Sequence, residues 1–185
     1  MKIPPGQITT DKFPIMTFGS IPDINLDTWE LQIYGLIQKP ITITWQELQK
    51  LPKYNLLSDF HCVTQWSRIN DEWEGVLVST LIKSLNITAL SDNIMIHCYG
   101  GYTTNVQYST LIQHKGILAY SHNQEPLKPE HGGPLRLVLP ERYAWKSAKW
   151  VNGMEFIADE NPGFWENYGY HIYGDPWKEE RYSSF

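Results

Sequence analysis

Two stretches of this sequence carry residue types that could do chemistry. The first is Phe60-His61-Cys62-Val63-Thr64-Gln65-Trp66-Ser67, continuing to Trp73-Glu74-Gly75-Val76, and it holds one of the chain's two cysteines. A thiolate is both a nucleophile and a soft metal ligand. A lone cysteine is more commonly a small buried apolar residue, so its setting has to decide. Cys62 closes an apolar run and opens a turn bearing Thr64, Gln65 and Ser67, the kind of strand end on which sites are built. Cys98 ends the alternating run Ile94, Ile96, Cys98 and reads as core filler. No CxxC pair is present, which sets aside a two-cysteine zinc site.

The second stretch is His131-Gly132-Gly133-Pro134-Leu135-Arg136, followed by Tyr143-Ala144-Trp145-Lys146-Ser147-Ala148-Lys149-Trp150. Between His131 and Trp150 four cations, Arg136, Arg142, Lys146 and Lys149, face a single carboxylate, Glu141. The plain reading is a solvated basic surface. Arg136, however, sits inside the apolar run Leu135–Leu139, where an unpaired charge is costly, so it calls for an anion. An arginine fork, lysine point charges, the Ser147 hydroxyl and glycines that admit backbone N–H groups together describe a phosphate grip. Neither GxGxxG nor GxxxxGK[ST] occurs, so the phosphate is not that of a Rossmann dinucleotide or a P-loop nucleotide. GxSxG and HExxH are absent too. A Cys62 nucleophile with His61 or His131 as base is a further arrangement, which spacing leaves open.

The elements that must position these residues are short. Residues 1–28 read as an ordered arm, 29–160 as the main domain and 161–185 as an aromatic tail packed on it. Strands are expected at Trp29–Tyr34, Ile41–Thr44, Tyr54–Cys62, Asn93–Tyr99, Ile117–Tyr120, Leu135–Leu139 and Trp150–Ile157. Thr44-Trp45-Gln46-Glu47 is a capping box that opens a helix to Leu51. Two more short helices are expected, from Ser79 or Thr80 to Leu85 and over Tyr108–His114. Gly100-Gly101-Tyr102-Thr103-Thr104-Asn105 reads as a hairpin or as a polar loop at a pocket rim. Many strands with few helices and no βα alternation predict an α+β domain of strand-rich mixed sheets.

Composition narrows the function. The chain has 185 residues, 42% apolar and 19% charged, with eight Trp and eleven Tyr, enough for one domain with a real core. A net charge of −5 argues against non-specific nucleic-acid binding. The start, Met1-Lys2-Ile3-Pro4-Pro5-Gly6, has no leader pattern, and no apolar run approaches the ~20 residues that span a bilayer. The expectation is a soluble, cytoplasmic protein with reduced thiols and no Cys62–Cys98 disulfide.

Phe60-His61-Cys62-Val63-x-x-Trp66-Ser67 with Trp73-x-Gly75-Val76 resembles the molybdenum-ligand segment of the sulfite oxidase family. The stretch from His131-Gly-Gly-Pro-Leu-Arg136 to Trp145-Lys146-Ser147-x-Lys149-Trp150 resembles its pterin-phosphate segment. The glycine loop at 100–105 and the tail from Gly163 to Trp177 are similar to a compact bacterial branch, the sulfite oxidase-like oxidoreductases. The resemblance implies the molybdopterin-binding fold of that family and a Mo-molybdopterin cofactor with one pyranopterin dithiolene. It implies Cys62 as the metal's protein ligand, Arg136, Ser147 and Lys149 on the phosphate with His131 and Lys146 near, and His61 and Trp66 around the metal. Thr103, Thr104, Trp145 and Tyr102 are the expected substrate mouth. The arm at Phe13–Thr17 would touch the pterin, although it departs from the form seen in periplasmic methionine sulfoxide reductases.

Only Arg68 is basic just after the cysteine segment, where a sulfite pocket would have a second arginine, so sulfite is not the expected substrate. The length leaves no room for a cytochrome b5 module or the family's dimerisation domain. A monomer is therefore expected, exchanging electrons with an external donor or acceptor. The leading expectation is oxygen-atom transfer on a small molecule. The competing ones are a non-catalytic module that binds molybdopterin or another phosphate ligand, and a Cys–His hydrolase.

Overall fold

The computed structural model describes residues 2–183. Met1 of the expected arm and Ser184 and Phe185 of the expected tail lie outside the described residues. In chain order the elements are β1 (Ile8–Thr9), β2 (Glu30–Gly35), β3 (Ile41–Thr44), α1 (Trp45–Gln49), β4 (Tyr54–His61), β5 (Trp66–Leu77), α2 (Val78–Ser84), β6 (Asn93–Cys98), β7 (Thr103–Gln107), α3 (Tyr108–Gln113), β8 (Ile117–His122), β9 (Glu125–Pro126), β10 (Arg136–Val138), β11 (Val151–Ile157) and α4 (Phe164–Asn167). Short 3₁₀ turns lie between them, including Ala144–Lys146. Among the described residues no helix is long and apolar enough to cross a membrane.

The strands form two sheets. One runs β1-β5-β8-β10, with β4 paired to β5 and β9 to β8; the other runs β3-β2-β11-β6-β7. Pairing is antiparallel except for β1 with β5 and β2 with β11. The larger core, with Leu31, Ile33, Ile96 and Met154 of the second sheet, Val76, Leu118 and Leu137 of the first, and Trp29 and Leu135 just before β2 and β10, fills the space between them. A second cluster, with Phe60, Cys62, Trp66, Trp73, Ile117, Ala119, Val138, Tyr143 and Trp145, covers the other face of the first sheet. The period of two sorts the residues: Ile117 and Ala119 go to one cluster and Leu118 to the other.

The strand-rich α+β expectation holds, and the capping box forms, with Thr44 Oγ1 accepting from Glu47 N–H and Glu47 Oε2 from Thr44 N–H. Two strands go beyond the sequence reading. β5, at twelve residues the longest strand, takes in Ser67, read as part of a turn, and continues to Leu77 through residues for which the sequence indicated no element. Its polar residues are paired: Arg68 Nε and Nη2 donate to the buried Asp71 carboxylate at 2.6–3.0 Å. Gly75 lets β5 lie against β8, since a Cβ there would fall 2.1 Å from the Leu118 carbonyl oxygen. The stretch 100–105, read as a hairpin or a polar loop, is the hairpin: a two-glycine turn at Gly100 and Gly101 joins β6 to β7, which runs antiparallel to it as far as Gln107.

Candidate functional site

β4 and β5 are joined by the tight turn Cys62–Gln65. It is closed by Gln65 N–H to Cys62 O (3.1 Å) and Cys62 N–H to Trp66 O (2.9 Å), with Gln65 in the left-handed region at φ 72°. Cys62 is thus delivered on a hairpin end inside the second cluster, 6% exposed. Its Sγ lies 3.1 Å from the Thr64 hydroxyl. Cys98 is in the inter-sheet core, and burial pushes its thiol far up, which makes it inert.

Strand alternation explains Arg136. Leu135, Leu137 and Leu139 point into the inter-sheet core, while Val138 belongs to the second cluster. Arg136, two residues before Val138, shares its face. The guanidinium lies over the rings of Phe60 (5.0 Å) and Trp73 (5.4 Å). Nη1 donates to His131 O and Nη2 to Ser147 O, each at 2.7 Å, and buried Nε has no partner. Burial lowers its pKa to about 9. Lys149 Nζ likewise meets only carbonyls, of Met16 (2.8 Å) and Glu130 (2.6 Å). Burial first, then the Arg136 charge, brings it to about 7. Both are cations whose protein partners are neutral. Gly133 sets the turn that leads into β10; a Cβ there would fall 2.0 Å from Leu127 O.

One cavity of about 170 Å³ brings Cys62, Trp66, Arg136, Trp145, Ser147 and Lys149 together. Five further residues of the sequence reading do not line it. His61 turns to Ser67 (Nδ1 to Oγ, 2.8 Å). His131 stacks behind the arm residue Phe13 (4.1 Å, 7°), and burial, with Lys149 and Arg136 close by, lowers it to about 4. Thr103, at the start of β7, pairs with His97 of β6. Thr104 is fully buried and donates to Glu166 Oε1 (2.9 Å). Lys146 also points elsewhere. Its Nζ binds Glu166 Oε1 (2.5 Å), Asn105 O (2.8 Å) and Asn105 Oδ1 (2.7 Å), both charged side chains being 1% exposed.

Glu166 is the residue that the sequence reading missed outright. Beyond Lys146 and Thr104 it takes the Trp145 indole N–H (3.0 Å), while the Trp145 carbonyl accepts from Tyr102 Oη (2.6 Å). Trp145 stacks on Tyr143 (5.3 Å) and meets Tyr170 edge-on (4.9 Å), so this cavity wall is fixed at both polar groups and on its ring. The cavity also takes in Thr64, Tyr102, Trp165, Tyr170 and the arm residues Phe13, Pro14 and Met16–Phe18. The aromatic density of the tail was the available signal for Trp165 and Tyr170. Burial chiefly, with Tyr182 and Cys62 contributing, raises the Tyr170 phenol. Phe13 packs edge-on against Phe60, Trp66 and Trp73, contacts worth ~0.5–1.5 kcal/mol each beyond burial. Among the described residues no group of three or more His, Cys, Asp and Glu side chains is placed to hold a metal ion.

The pattern of the family described as "oxidoreductase molybdopterin binding domain" matches residues 18–165. An uncharacterized oxidoreductase, YuiH of Bacillus subtilis, is 39% identical over 98% of this chain and 92% of its own length. The protein-methionine-sulfoxide reductase catalytic subunit MsrP of Campylobacter jejuni is 26% identical over 91% of this chain and 61% of its own length. Among solved structures, the sulfane dehydrogenase SoxCD of Paracoccus pantotrophus superposes with a TM-score of 0.67 at 21% identity, over 75% of this chain and 40% of that one. This likeness shows the fold, and it is the fold that the resemblance implied.

Proposed function

The chain belongs to the oxidoreductase molybdopterin-binding domain family, and from that premise we propose that it moves an oxygen atom to or from a small molecule at a molybdenum held by the Cys62 sulfur. The observation that carries this is the single cavity that joins a soft thiol to two cations without anionic partners. The residues fit an elongated ligand with sulfur-bound metal at one end and phosphate at the other. Arg136 Nε is a buried donor without an acceptor, a need that a phosphate oxygen meets. Lys149 regains its charge beside an anion. Ser147 Oγ accepts from Leu139 N–H (3.0 Å), which leaves its own proton free to donate. Bound there, the cofactor supplies two-electron oxygen-atom chemistry. Cys62 would be the protein's ligand to the metal, the dithiolene sulfurs coming from the cofactor.

The rest of the cavity sets access. Phe13, Trp66, Trp145 and Trp165 exclude water. The Tyr170 phenol and the Thr64 hydroxyl are the proton-bearing groups placed for a substrate oxygen. Arg136 and Lys149 are the two cations on the lining, and a phosphate takes both. Arg68 is spent on Asp71 and on the Asp11 carbonyl. That balance favours an uncharged sulfoxide or N-oxide over sulfite. Electrons come from an external partner.

Protein from a cofactor-competent host is expected to hold about one molybdenum per chain, lost in Cys62→Ser, because a soft thiolate completes the sulfur set. Metal and pterin analysis checks this, and metal-free wild-type protein from that host would sink the reading. A panel of sulfoxides, N-oxides and sulfite then tests the substrate class.

A further inference from the structure

Hairpin ends are ordinarily among the loosest parts of a fold. The turn that carries Cys62 is instead gripped from behind by segments near both ends of the chain. From the arm, Gln7 Nε2 donates to Cys62 O (3.0 Å), and the backbone beside it continues the grip with Ile8 N–H to Gln65 O and Thr10 N–H to Ser67 O, both 2.9 Å. From the tail, Arg181 Nη1 donates to Val63 O (2.6 Å) and Nη2 to Pro5 O (3.3 Å). The same guanidinium lies 5.0 Å over the ring of Tyr143, which stacks on Trp145. One side chain therefore ties together the arm, the cysteine turn and the segment leading to the cavity wall. The carbonyls of Cys62 and Val63 are both held by side chains remote in sequence, so the turn cannot tip without breaking these bonds.

We infer that Arg181, assisted by Gln7, is a positioning residue that fixes the direction of the Cys62 sulfur into the cavity. Neither residue lines the cavity. Both act on backbone oxygens, which leaves the thiol's own chemistry to Thr64 and to whatever binds it. The inference rests on the reading of Cys62 as the metal's protein ligand only for its consequence; the grip itself is a property of the fold.

The test uses the full-length, cofactor-loaded protein and two readouts. Hydrogen exchange of the peptide spanning residues 60–66 is expected to be about tenfold faster in Arg181→Met, as charge-assisted bonds to carbonyls are lost, with peptides of β2 and β3 unchanged. Molybdenum loss to a chelator is expected to accelerate in parallel. Arg181→Lys, which keeps the charge but not the fork, is expected to fall between. Gln7→Leu is the second variant, should Arg181→Met not accumulate, and is expected to move both readouts the same way. Exchange at 60–66 within twofold of wild type in the variants would overturn the inference, as would a uniform increase over the whole chain. If Cys62→Ser keeps its molybdenum while the exchange result holds, the ligand reading fails and the grip stands.

Discussion

Replacing Arg136 by Met separates a structural arginine from one that waits for a ligand. Arg136 is 2% exposed. Burial holds its pKa at about 9, well below the usual arginine range, which corresponds to a cost of ~5 kcal/mol for burying the charge. Against this stand two bonds from a charged donor to carbonyls, at His131 O and Ser147 O, worth ~1.5–3 kcal/mol each. The two sides nearly cancel. Arg136→Met keeps much of the volume beside Phe60 and Trp73, so the cofactor-free protein is expected to change in stability by no more than ~2 kcal/mol in denaturant titration. Cofactor binding loses a desolvated ion pair, ~3 kcal/mol or about a hundredfold. The expected outcome is a folded protein purified with little molybdopterin. A fall in unfolding free energy beyond ~4 kcal/mol, with cofactor per folded chain unchanged, would refute the reasoning and make Arg136 a strut.

Glu166→Ala should do the opposite. It strands the buried Lys146 ammonium and leaves the Trp145 and Thr104 donors without an acceptor, so a loss of ~3–5 kcal/mol is expected in urea titration. Lys146→Met combined with Glu166→Leu should recover much of that, and a single-variant loss under ~1 kcal/mol would contradict the pairing. Lys149 gives a pH signature in cofactor-free protein. Its folded pKa of about 7 lies below the usual 10.5, so between these values the unfolded chain binds the extra proton and stability rises with pH. Below about 7 both states are protonated and the burial penalty is present in full. Thermal melting from pH 7 to 10 should show that rise in wild type and a shallower one in Lys149→Met; identical slopes would rule it out.

The ordinary strands were legible because a half-buried strand writes its period into the sequence, as Leu31 and Ile33 do in β2. β5 was not, for two reasons. Its run from Ser67 to Glu72 is polar because Arg68 and Asp71 satisfy each other inside the fold, and a pair made by side-chain geometry leaves no mark in hydropathy. It also carries a register irregularity at Glu74 and Gly75, opposite β8, which breaks the alternation that would have revealed it. β7 was half legible: the two glycines before it mark the turn correctly and leave open whether a strand or a loop follows.

A side chain's face is legible in the sequence where a strand's alternation fixes it, and less so where a turn does. Arg136 follows from the alternation of β10. Lys146 and Lys149 look alike in the sequence, three residues apart, yet they face different surroundings. The 3₁₀ turn Ala144–Lys146 carries Lys146 into a pocket already supplied with a carboxylate by Glu166, twenty residues further on, while Lys149 ends on carbonyls alone. Basic character therefore does not identify the phosphate side chains. What identifies them is unmet need: Lys146 has a carboxylate and Arg68 has a carboxylate, whereas Arg136 and Lys149 have only neutral oxygens and a cavity in front of them. For a buried charge in that state neutral carbonyls do no more than offset the cost of burial, and a ligand that brings an anion adds a charge pair that the fold does not supply. On that accounting the proposed phosphate contacts are Arg136 and Lys149 rather than Lys146.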